Sequence, residues 1–305
     1  MKNLIIKWDT SINEISQESW ENVSSNNSIP FFQHSWLLAL ETSGSITPKK
    51  GWQPLYLSIW RHNDLLGVAP LFLKNHSYGE FIFDHSFVQL ANKLNIEYYP
   101  KLIGMSPVSP VEGYRFLISD DESQIELTNL MINEIDKFCI RNNILSCNFL
   151  YVDQNWKSHA EAAKCATWIN QKSLWYSSRM KNFSDYLSNF NANQRRNIKR
   201  ERQYLKKLNI KVSIATGSEV NLKDMQEMHC FYKQHCERWG IWGSKYLSES
   251  FFEKLSSKEH RDKVVLFKAN KENNPKTTAM SLCITNGSTL WGRYWGSKED
   301  IDYLH

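Results

Sequence analysis

Two apolar runs, Pro54–Trp60 and Leu65–Leu73, flank the turn residues His62-Asn63-Asp64 and predict a β-hairpin in the first half of the chain. Ahead of it, Leu4–Trp8 reads as a strand and Ser16–Val23 as a helix, followed by a second helix over Phe32–Glu41 that carries Trp36, Leu37 and Leu40. After the hairpin come a short strand at Phe81–Phe83, a helix near Phe87–Leu94, a long helix over Ile125–Arg141 and a strand over Ser146–Val152. In the second half, Asn193–Leu208 has helical spacing with two unlike faces: Ile198, Leu205 and Leu208 on one, Arg195, Lys199, Arg202 and Lys206 on another. A strand at Lys211–Thr216, a helix over Leu222–Trp239 and a helix over Glu249–Ser257 capped by Ser248 follow. Three strands close the pattern at Lys263–Ala269, Thr277–Thr285 and Thr289–Gly296, separated by the loop 270–275 and by the hairpin pair Asn286-Gly287.

The second half thus runs β-α-α-β-β-β, and the first half repeats that order loosely. Two α/β domains with mixed central sheets flanked by helices are expected, over residues 1–170 and 171–305, with the boundary near Trp168–Ser177 and the second domain opening on the basic helix. A length of 305 residues suffices for two cores, and 41% hydrophobic with 13% aromatic residues suits packed globular structure. No segment approaches the roughly 18–20 apolar residues needed to span a bilayer, and the N-terminus lacks a signal-peptide core. A cytoplasmic protein is expected. Six cysteines without C-x-x-C pairs or framework spacing agree with a reducing compartment. His229-Cys230 and His235-Cys236 are six residues apart, about 120° around a helix, so no metal site is expected.

Charge changes the picture most. Between Lys172 and Lys211, eleven Lys/Arg face only Asp185 and Glu201, a local net charge of +9 in a chain whose total is +5. Glu201 has Asn197 and Leu205 at the positions four residues away, so the usual helical ion pairs are missing. A one-sided basic helix, with Arg195, Arg196 and Lys199 at its start, implies an anionic small molecule, a glycan precursor or a nucleic acid such as tRNA as partner. Interleaved Trp175, Tyr176, Phe183, Tyr186, Phe190 and Tyr204 could stack on bases, although such spacings more often mark core.

Several chemistries are missing from the pattern: no G-x-S-x-G, Walker A, G-x-G-x-x-G or H-E-x-x-H occurs. Direct acyl transfer to an amine survives, because it needs a positioned amine, a polarised carbonyl and a proton route but no covalent nucleophile. The segment Lys74–Asp84 concentrates titratable groups around Gly79. There His76, with Glu80 or Asp84, could act on the acceptor amine, with Tyr78 as donor or stacker and Lys74 beside them. The alternative is that His76 and Asp84 are hydrogen-bond partners that hold the loop. Tyr98–Leu102 followed by Pro107–Gly113 reads as a rigid loop wall offering Lys101 and Arg115 to a phosphate or carboxylate. Strand alternation would put Arg293 and Tyr294 on opposite faces, so that only one lines a cleft between the halves.

An ordered series of segments adds a resemblance. Pro30–Trp36, Ala39–Gly44, Gly51–Pro54, Lys74–Asp84, Tyr98–Leu102, Pro107 with Pro110, Gly113 and Arg115, Gln194–Arg202, Trp291–Gly296 and Leu304-His305 together resemble the bacterial FemAB-like proteins of peptidoglycan biosynthesis/recognition, within the GNAT (N-acyltransferase) superfamily. The resemblance implies tandem GNAT-like domains and transfer of an acyl or aminoacyl group from acyl-CoA or aminoacyl-tRNA to a peptidoglycan precursor. It implies a donor near Arg293 and Tyr294. The family pattern continues beyond Leu304-His305, so the second domain is expected to lack its closing helix and strands and to leave Thr289–Gly296 as an open edge that a second copy could complete. A non-catalytic module that binds an anionic glycan precursor or nucleic acid through residues 194–207 is the competing expectation.

Overall fold

The computed structural model describes residues 3–177, 180–240, 245–272 and 276–304. Expectations that involve Met1, Arg179, residues 273–275 of the loop before Thr277, and His305 lie outside them. The first sheet is built from β1 (Leu4–Asp9), β2 (Trp52–Arg61), β3 (Asp64–Lys74), β4 (Lys101–Gly104), β5 (Leu117–Ile118) and β6 (Cys147–Phe149). Its order is β1-β2-β3-β4-β6, with β5 paired to the same edge of β3 as β4, and only the β4–β6 pair is parallel. Helices α1 (Gln17–Ser24) and α2 (His34–Thr42) precede the hairpin, α3 (His85–Lys93) follows it, and α4 (Gln124–Arg141) and α5 (Gln154–Ala162) flank β6.

The β2–β3 hairpin is buried on both faces. Alternation sends Tyr56, Val68 and Phe72 to one core, with Trp20, Leu37 and Leu40, and sends Leu57, Ala69 and Leu71 to the other, with Leu127, Met131 and Ile135. That double burial explains why its residues read as apolar runs and not as alternation.

The second half begins with α6 (Phe183–Ser188) and the basic helix α7 (Ala192–Lys207), whose start is fixed by a capping box between Asn191 and Gln194. Strand β7 (Ile210–Thr216), helices α8 (Leu222–Arg238) and α9 (Glu249–Leu255), and strands β8 (Val264–Lys271), β9 (Thr277–Thr285) and β10 (Leu290–Ser297) reproduce the expected β-α-α-β-β-β order. The antiparallel sheet runs β10-β9-β8-β7, which leaves β7 and β10 at its edges.

Three local expectations are corrected. Residues 81–83 form no strand, since Phe81 has φ 60°; the strand beside β3 is β4, which the flanking prolines disguised as loop. The expected strand over 146–152 forms a ladder through 147–149, turns at Tyr151, φ 54°, and pairs again only as a single bridge from Val152 to Tyr114. Helices α5 and α6 were not expected; each starts at a side-chain cap, Asp153 and Asn182.

The expected cleft between the halves is largely closed by packing. One apolar core runs from Trp20, Phe31 and Trp36 of the first half to Phe231, Phe251, Met280 and Leu282 of the second. Trp36 meets Phe251 edge-on at 5.2 Å and Phe31 meets Trp291 at 5.7 Å. A void of about 10 Å³ lined by Pro30, Trp36, Leu255 and Ile284 lies in this seam, about one water in size.

Candidate functional site

The antiparallel register sets Lys74 of β3 directly opposite Lys101 of β4. Both are fully buried, at 0% and 1% exposure, and two like charges facing each other across a ladder destabilise a sheet unless compensated. The loop from Asn75 to Asp84 supplies the compensation. Lys101 Nζ donates to Glu80 Oε2 at 2.7 Å, Asp84 Oδ2 at 2.5 Å and Ser77 Oγ at 2.8 Å. Asp84 Oδ2 also accepts from Ser77 Oγ and from Tyr98 Oη, each at 2.8 Å. Burial pushes the Asp84 carboxyl up, but these hydrogen bonds outweigh it and hold Asp84 below its ordinary value. For Glu80 the balance is reversed: burial dominates over the attraction of Lys101 and raises its pKa. Glu80 Oε1 and Asp84 Oδ1 are buried without a donor.

Among the described residues no carboxylate pairs directly with Lys74. Its Nζ lies 3.6 Å from the centroid of the Trp52 ring and donates to the Tyr78 carbonyl at 3.0 Å. Burial is the largest influence and lowers its pKa to about 7, only partly offset by Glu80. Lys74 is therefore the group of this cluster that changes charge near neutral pH.

His76 is fully occupied. The Lys50 carbonyl can only accept, so Nε2 at 2.9 Å must carry the proton. Nδ1 then accepts from the Tyr78 amide at 3.1 Å and from Lys74 Nζ at 3.3 Å. Burial and the neighbouring Lys74 lower the pKa of the ring. The expectation that His76 takes a proton from an acceptor amine is corrected: it has no free lone pair and serves to fold the loop back on Lys50. Gly51, in the left-handed region at φ 69°, makes that approach possible, because a Cβ there would collide with Asn75 and the His76 ring. Tyr78 is exposed, with its ring tilted on His76 at 5.1 Å.

Lys101 is corrected as well. It is a strand residue held by three acceptors, not a loop lysine open to phosphate. Arg115 is half-buried beside β5, and no hydrogen bond, ion pair or ring contact ties it to the cluster among the described residues. Arg195, Arg196 and Lys199 lie on α7. Arg195 Nη1 donates to the Phe190 carbonyl at 2.5 Å, Arg196 bonds Asn193, and Arg202 covers the Phe183 ring at 4.1 Å. Among the described residues no cation of α7 has a carboxylate partner.

Arg293 and Tyr294 meet, contrary to simple alternation. The β9–β10 register slips between Gly292 and Tyr294, so Arg293 is the extra residue of a bulge. The bulge turns the guanidinium beside its neighbour: Arg293 Nη2 donates to Tyr294 Oη at 3.2 Å, to the Val108 carbonyl at 2.9 Å and to Ser109 Oγ at 3.4 Å. Its Nε is buried without an acceptor, and no carboxylate pairs with it among the described residues. Tyr151 joins this seam to the lysine cluster. Its hydroxyl donates to the Glu80 carbonyl at 3.0 Å, and after burial the charges it feels are Glu80 and Arg293, which leave its pKa at about 12. Sequence reading passed over Tyr151, which looked like an ordinary strand residue.

No cluster of His, Cys, Asp or Glu able to hold a metal ion occurs among the described residues, and no helix among them is long and apolar enough to cross a membrane. No curated protein matches the chain. Among solved structures it is similar to one described as "Crystal structure of FemX", at 12% identity and a TM-score of 0.50, over 98% of this chain and 82% of that one. That likeness concerns the fold. The model of the FemAB-like family, described as peptidoglycan biosynthesis/recognition, matches residues 11–305. The chain belongs to the FemAB-like family of peptidoglycan biosynthesis/recognition.

Proposed function

We propose that this protein transfers an acyl or aminoacyl group to an amine of a peptidoglycan precursor, its halves acting as tandem GNAT-like domains that divide near residue 170. The observation that carries this reading is the Arg293 guanidinium: it sits half-buried at the junction of both halves, with Nε unsatisfied and no counter-ion among the described residues. Its charge and the donors that Nη2 leaves unused attract a carboxylate or phosphate, and UDP-linked muramyl peptides carry both. Glu80 is the proton acceptor in this proposal, because it keeps a free oxygen and its pKa is raised. Tyr151, whose hydroxyl reaches the Glu80 carbonyl, and Tyr294, whose hydroxyl meets Arg293, connect the two groups. Acyl-CoA and aminoacyl-tRNA both remain donors of the required chemistry.

A thermal-shift titration with a UDP-linked muramyl peptide tests the site, since a ligand at about a hundred times its Kd adds about 2.7 kcal/mol of stability. The wild-type chain should shift and Arg293→Gln should not. An equal shift in both would remove Arg293 from the site.

The second reading is a non-catalytic module that holds an anionic precursor or nucleic acid on α7. It is favoured by one observation: none of the helix is buried and, among the described residues, its cations lack carboxylate partners. Binding that survives Arg293→Gln but is lost, with its salt dependence, in Arg196→Ala/Lys199→Ala would select it.

A further inference from the structure

Helix α3 is the most amphipathic of the chain's patterns, yet only Ala91 of its nine residues is buried. Phe83, Phe87, Leu90 and Leu94 form a stripe at spacings of four, three and four, and they are 78%, 54%, 53% and 59% exposed. In a soluble domain such a stripe faces the core. Here the buried face of the segment is fixed instead by Asp84, which Lys101, Ser77 and Tyr98 grip at the start of the helix. The apolar stripe is thereby held outward.

The stripe continues across the connection between the two halves. Phe87 meets Trp168 at 6.2 Å, and from there the chain runs without regular structure through exposed Ile169, Leu174, Trp175 and Tyr176. Trp175 contacts Tyr186 of α6 at 6.3 Å, Tyr186 stacks on Phe183 at 5.6 Å, and Phe183 carries Arg202 of α7. An exposed aromatic and aliphatic band therefore leads from α3 directly to the basic helix. Residues 85–96 and 162–184 contain no Asp or Glu, and Lys93, Lys164 and Lys181 flank the band, with Lys172 paired to Glu112.

We propose that this band is a docking surface for an anionic phospholipid bilayer, with α3 lying in the interfacial plane and α7 against the headgroups. Four features select that occupant. The apolar stripe is long enough to enter the acyl boundary but not to span it. Trp and Tyr at its rim suit the headgroup level. Apart from Lys172, which Glu112 neutralises, the flanking lysines have one sign, which complements acidic lipid and would repel itself across a two-fold contact with a second copy. Leu90, Leu94, Ile169 and Leu174 offer nothing to RNA, which takes aromatic and cationic contacts. The surface is independent of which group the protein transfers.

Co-sedimentation of the full chain with vesicles of phosphatidylcholine alone, or with about a third phosphatidylglycerol, tests the proposal. Binding is expected on the anionic vesicles and should weaken as salt is raised. Phe87→Ser/Leu90→Ser should weaken it at least about tenfold, given the apolar area withdrawn, while leaving the melting temperature unchanged. Leu94→Ser/Trp168→Ser is the second variant. Absence of binding to anionic vesicles at low salt, or binding by both variants as tight as that of wild type, would overturn the proposal. So would a wild-type dimer that both variants convert to monomer without loss of vesicle binding.

Discussion

Lys74 should make the stability of this protein rise with pH above neutrality, and replacing it with Met should remove that rise. The lysine gives up its proton at about 7 in the folded chain and at an ordinary 10.5 in the unfolded one. Between those values the unfolded state binds more protons, so stability grows with pH; below about 7 the full penalty of burying the charge is present. Over pH 7 to 9 the difference in proton binding amounts to about 2 kcal/mol for one lysine with these two values. The assay is urea denaturation of wild type and Lys74→Met at pH 7, 8 and 9, read as the difference between the two proteins so that other titrating groups cancel. The wild type should gain about 2 kcal/mol on the variant across the series. A difference that stays constant with pH would show that Lys74 keeps its proton, and the charge assignment of the cluster would fail with it.

Lys101→Met should cost about 3–5 kcal/mol by denaturation, because Glu80 and Asp84 would be left buried without their cation; a loss under about 1 kcal/mol would mean the loop is held by other contacts. Glu80→Gln should abolish transfer while leaving precursor affinity within about twofold, whereas His76→Gln, which removes a loop contact and no base, should retain turnover; equal turnover in wild type and Glu80→Gln would sink the proton-acceptor role. Gly104→Ala should destabilise by about 1–3 kcal/mol, since the new Cβ would enter the Tyr114 ring, and unchanged urea midpoints would contradict that packing.

What the sequence disclosed and what it withheld divide along physical lines. Caps and periodicity act over a few residues, so the basic helix, α8, α9 and the strands that follow were readable almost to their ends. The grouping of Lys74, Glu80 and Asp84 was visible as a dense titratable segment. Its organising fact was not: Lys74 faces Lys101 only because β4 pairs with β3, and Pro100 and Pro107 make Lys101–Gly104 look like loop. Long-range register leaves no local signature. The lost lone pair of His76 depends on the Lys50 carbonyl and Gly51, both distant in sequence. Alternation set Arg293 and Tyr294 on opposite faces, and only the bulge geometry shows that Arg293 comes to the Tyr294 hydroxyl. Periodicity predicted a helix near Phe87–Leu94; it could not reveal that the apolar side points away from the core.

The most direct test of the proposed transfer is mass spectrometry of a UDP-linked muramyl peptide incubated with the full chain and, in separate reactions, charged tRNA or acyl-CoA. The expected result is a precursor heavier by one aminoacyl or acyl group with one donor class, lost in Arg293→Gln. A precursor that binds the protein yet gains no mass with any donor would contradict an acyl-transfer function and leave the binding module in its place.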